Sequence, residues 1–79
     1  MLRLINIEKI GNTIRAEYVP EDSEEIGMVE LSQESEDILK SRKTSYDEPV
    51  ESYFRQAANA LRKMMSEPEI PKTRLVMWY

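Results

Sequence analysis

Gly11-Asn12 stands between two segments that read as strands, and no other feature constrains the fold of this chain as much. Before it, Leu2 to Glu8 is rich in Leu and Ile at both odd and even positions. After it, Ile14, Ala16 and Tyr18 alternate with Thr13, Arg15 and Glu17, the period of a half-buried strand. Glycine and asparagine tolerate positive φ, which a two-residue hairpin turn needs so that its twist matches that of the strands it joins. The chain is therefore expected to open as strand, tight turn, strand.

Pro20-Glu21-Asp22-Ser23 reads as the next turn, because proline offers no amide to a ladder and Asp and Ser compete for local backbone groups. A third strand is expected from Glu25 to Leu31, weakened by Gly27. From Ser32 to Tyr46 the pattern is poor, and a fourth short strand, one helical turn near Ile38 and a mobile connector are all compatible with it. A helix is expected over Asp47 to Ser66, where Val50, Phe54, Ala57, Ala58, Leu61, Met64 and Met65 form one stripe. Asp47 can accept from amides of the first turn, Pro49 is tolerated there, and Glu48 and Glu51 suit the positive end of the helix dipole. Pro68 and Pro71 stop the helix. Thr73 to Tyr79 is β-branched, aromatic and apolar on both faces, and reads as the last strand.

The predicted fold is a single α+β domain over residues 1–79, in the order β-β-β-α-β. In a meander the first and third strands run the same way, and the helix then returns the chain. The last strand would run parallel to the first, in a four-stranded mixed sheet of order 3-2-1-4 with one helix on one face. Strands about 4.8 Å apart make such a sheet roughly 19 Å wide, whereas one helix covers about 10 Å of it. Leu2 and Leu4 against Ile5 and Ile7 predict apolar side chains on both faces. The Ser32 to Tyr46 connector or a second subunit must then cover the remainder. The last strand would lie at a sheet edge without the charge or proline that edges usually carry after Arg74. Leu75, Met77, Trp78 and Tyr79 are accordingly the candidate interface of a homodimer, or of a contact with another protein.

A chain of 79 residues has room for one core, and its 41% hydrophobic content makes burial thin enough for a partner to help. The absence of cysteine excludes a disulfide scaffold and a thiolate metal site, and makes a reducing cytoplasm the expected location. No signal peptide is read in the N-terminal stretch, whose apolar residues are interrupted by charge. Leu75 to Tyr79 falls far short of the ~20 residues that cross a bilayer, so no membrane is expected. The net charge of −4 is uneven, with 10 acids and 4 bases in residues 1–40 against 5 and 7 in residues 41–79. Nine acids and no base lie between Ala16 and Leu39, a surface that repels nucleic acid.

Without histidine or cysteine, general acid–base work would fall to carboxylates, Lys or Tyr, and no such pair is marked out. Two glycines in the whole chain exclude a glycine-rich phosphate cradle. No enzyme activity, cofactor or metal is expected. Glu21-Asp22-Ser23-Glu24-Glu25 lacks the alternating acids and central glycine of an EF-hand loop and reads as a solvated turn. Arg55, Arg62 and Lys63 on the polar side of the helix are candidate phosphate contacts, with Lys40, Arg42 and Lys43 as a second basic group. Glu51 can pair with Arg55 at i,i+4 and the late bases suit the dipole, which favours a solvated helix face. The leading expectation is a small non-enzymatic protein-interaction module; the alternative is a nucleic-acid-associated accessory protein. Ala58-Asn59-Ala60-Leu61-Arg62-Lys63, followed by prolines and Val76-Met77-Trp78-Tyr79, resembles small uncharacterised bacterial proteins over the C-terminal half. That resemblance implies no activity, cofactor or functional residue.

Overall fold

The computed structural model of the protein describes residues 1–47 and 52–76. In chain order they form β1 (Leu2–Ile10), β2 (Thr13–Pro20), β3 (Gly27–Ser32), β4 (Ile38–Arg42), a 3-10 turn (Ser45–Asp47), α1 (Ser52–Met64) and β5 (Arg74–Val76). The sheet order is β4-β3-β2-β1-β5 and every pairing is antiparallel. The α+β class, the opening meander and the last strand beside the first are as expected. The sheet, however, has five strands and not four, and it is antiparallel and not mixed. One cause accounts for both corrections. Strand β4 forms inside the Ser32 to Tyr46 stretch and adds a reversal, so the helix sets out from the other end of the sheet and β5 enters against β1. All five residues of β4 are exposed, so no burial pattern marked it in the sequence.

The first hairpin closes as its residues dictate: Gly11 has φ 57°, and Ile10 pairs with Thr13 across the turn. Pro20 both ends β2 and opens the expected turn, since the Ser23 amide donates to its carbonyl at 3.0 Å; the β2–β3 ladder ends at Tyr18 and Gly27 and asks for no amide from position 20.

In β1 the register shifts between Ile5 and Glu8, where Asn6 takes φ 51°. This is a β-bulge, and asparagine is among the few residues that enter the left-handed region readily. The bulge turns Ile7 onto the face of Leu2 and Leu4, and all three are buried, at 5%, 0% and 0% exposure. The expectation that Ile7 joins Ile5 on a second apolar face is thereby corrected.

Leu2, Leu4 and Ile7 meet Ile14, Ala16, Tyr18, Val29 and Leu31 beneath Phe54, Ala57, Ala58, Leu61 and Met64 of α1. Met65 and Ile70 extend this cover beyond the helix end. The helix thus roofs β1, β2 and β3, and among the described residues neither edge strand contributes a buried side chain. The opposite face is polar and charged, with Glu8, Arg15, Glu30 and Lys40 side by side on four successive strands.

Candidate functional site

Perturbed titratable residues often mark function, and the buried polar groups of this chain centre on Asp47. Tyr18 is fully buried and its hydroxyl donates to Asp47 Oδ2 at 2.7 Å. The Thr44 amide and hydroxyl donate to the same oxygen at 3.2 Å, and the Phe54 amide donates to Oδ1 at 2.8 Å. Asp47 therefore does accept from the first turn of the helix, as expected, although it lies in the 3-10 turn seven residues earlier. Val50, Pro49, Glu48 and Glu51 lie outside the described residues. Burial alone would raise the Asp47 pKa, but the bonds from Tyr18, Phe54 and Thr44 outweigh it and hold the carboxyl below the usual 3.8. With Asp47 at 2% exposure and its oxygens occupied, this node ties β2 to the start of α1 and offers nothing to a substrate.

The acidic turn is likewise occupied by structure. Glu21 binds the Met1 ammonium at 2.8 Å and accepts from the Tyr53 hydroxyl at 3.0 Å. The Met1 ammonium, and next the Tyr53 hydroxyl, lower its pKa. Glu25 accepts from the Ser45 hydroxyl and, at 3.0 Å, from the Ser45 amide. These carboxylates fasten the β2–β3 turn to the chain start, the 3-10 turn and the helix.

Arg55, Arg62 and Lys63 do share the outer side of α1. Arg62, however, donates through Nε and Nη2 to the Glu36 carbonyl at 3.4 and 3.3 Å, and through Nη1 to Asn59 at 3.1 Å. Its fork is turned towards the β3–β4 turn, a segment whose sequence carries Glu34, Glu36 and Asp37. Arg55 and Lys63 are exposed.

The two sheet edges remain. On β5, Leu75 pairs with Arg3 and is 53% exposed. Beside it lies a hollow of about 350 Å³ lined by Arg3, Leu4, Ile5, Thr73, Arg74 and Leu75. Arg74 is clamped by Glu67 through contacts of 2.7 and 3.2 Å. Among the described residues, β5 pairs with Leu2 to Leu4 of β1, and one further bond, from the Ile7 amide to the Lys72 carbonyl at 3.0 Å, continues the contact. Met77, Trp78 and Tyr79, the other candidate interface residues, lie outside the described residues. On the opposite edge, Ile38 and Leu39 are 43% and 51% exposed, and Lys40 and Arg42 stand on the face away from α1. The sequence marked these two bases as a basic group but not as the rim of a sheet, since the strand that carries them was not assigned. No protein family, curated protein or solved structure matches the chain. No described helix is long and apolar enough to cross a membrane.

Proposed function

We propose that this chain is a small non-enzymatic interaction module that pairs with a second copy of itself through the outer edge of β5. The observation that carries the reading is Leu75, half exposed on an edge strand beside a hollow lined by Arg3, Ile5 and Thr73. An edge strand presents unpaired amides and carbonyls, and an antiparallel pairing about a two-fold axis buries the same patch on both copies. Met77, Trp78 and Tyr79 complete an apolar C-terminal sequence that suits such a contact.

Sedimentation velocity tests it. The wild-type chain is expected to run as a dimer at micromolar concentration, and Leu75→Glu or Trp78→Ala to shift it to monomer. A wild-type chain that stays monomeric up to millimolar concentration would overturn the proposal.

A further inference from the structure

On the sheet face away from α1, register aligns Glu8, Arg15, Glu30 and Lys40 across β1, β2, β3 and β4. The sign of charge alternates at every step, and Arg15 lies 3.9 Å from Glu8. Opposite charges facing each other on neighbouring strands stabilise a sheet, and like charges weaken it. The adjacent row runs Glu17, Met28, Arg42, and the Arg42 guanidinium reaches over Met28 to within 3.7 Å of Glu17. Both rows end on a base at β4, and among the described residues no strand lies beyond it. Although the chain as a whole carries −4, residues 38–46 hold Lys40, Arg42 and Lys43 and no acid.

We infer that β4 receives an extended acidic segment of another protein as an added strand, with two acids spaced i and i+2 facing Lys40 and Arg42. The next step outward in the first row is a negative charge, which continues the alternation, and in the second row a negative charge would face Arg42 from the open side. On the other face of β4, Ile38 is 43% exposed next to Ser41, so the residue between the two acids meets a small or apolar surface. In this kind of addition the main-chain bonds supply affinity and alternate side chains supply specificity. A second copy of the chain does not fit. Two β4 strands set antiparallel about a two-fold axis at Ser41 would place Lys40 against Arg42 twice, and centring on Lys40 would oppose two lysines. Lysine on an edge strand commonly prevents such pairing. The charges that repel a second copy here select a partner of opposite sign.

The test is a nuclear magnetic resonance titration of the full chain with a short synthetic peptide alternating glutamate with valine, set beside one alternating lysine with valine. Only the glutamate peptide is expected to shift the amides of Ile38 to Arg42, with an affinity that falls as salt is added. Lys40→Gln with Arg42→Gln should weaken binding about tenfold. Because Arg42 also holds Glu17 and the Ile26 carbonyl, Lys40→Gln alone serves as the second variant and should give a smaller loss. Leu75→Glu, which probes the β5 contact, should leave this titration unchanged, so failure of one proposal is distinct from failure of the other. Equal binding of the two peptides, shifts confined to other strands, or no shift at millimolar peptide would each overturn the inference. So would a DNA duplex that moves the Lys40 and Arg42 resonances at lower concentration than the acidic peptide.

Discussion

Asp47 joins β2, the 3-10 turn and α1 through four hydrogen bonds. Tyr18 can reach it only because the partner of Tyr18 on β3 is Gly27. A Cβ at position 27 would stand 2.2 Å from the Tyr18 ring. The glycine that weakens β3 by propensity is therefore the one residue that admits the ring. Tyr18→Phe removes a bond to a buried carboxylate and is expected to cost about 1.5 to 3 kcal/mol in urea denaturation. The folded pKa of Asp47 lies below its unfolded value, so its contribution is full at neutral pH and is lost as the pH falls through the folded value. Asp47→Asn should accordingly lower stability near neutrality and flatten its decline below about pH 4. Some slope will survive, because Glu21 and Glu25 are also lowered, by the Met1 ammonium and by Ser45 respectively. An unchanged acid limb in the Asp47→Asn variant would contradict this assignment.

At the scale of elements, the helix and the edge strand β4 behave oppositely. Leu61 sits at 0% exposure in the middle of the α1 stripe, whereas Arg55 points outward. Leu61→Ala should cost about 2 to 5 kcal/mol, and Arg55→Ala should stay within about 0.5 kcal/mol of wild type. Equal effects in a denaturant titration would mean that the stripe is misplaced. Strand β4 has no buried side chain, and among the described residues its backbone ladder pairs only with β3. Its amides should therefore exchange with solvent well before those of β1 and β2, with Leu31 and Val29 of β3 intermediate. Protection of β4 equal to that of β2 in the free monomer would show that this edge is covered. The helix was legible in the sequence because its burial is one-sided and periodic. The edge strand was not, because exposure on every side leaves no period to read.

For the whole molecule, one helix and the Met65 to Ile70 segment roof the three inner strands, and Ile38, Leu39 and Leu75 are among the exposed apolar residues and lie on the two edges. The first hairpin, the helix stripe and the class of the fold followed from local chemistry: positive φ at Gly11, apolar spacing along α1, prolines after it. The candidate residue Leu75 was legible too, as part of an apolar run with no charge beyond Arg74. Strand number, strand direction and the polarity of the open face were decided by long-range pairing. Whether Ile7 faces the core depends on a bulge at Asn6, and a one-residue shift exchanges the faces of everything after it. The alternating charges became a row only when register set Glu8, Arg15, Glu30 and Lys40 abreast. Periodicity within a segment is a local property that the amino-acid order carries by itself. Register between segments far apart in the chain is settled only when the sheet assembles.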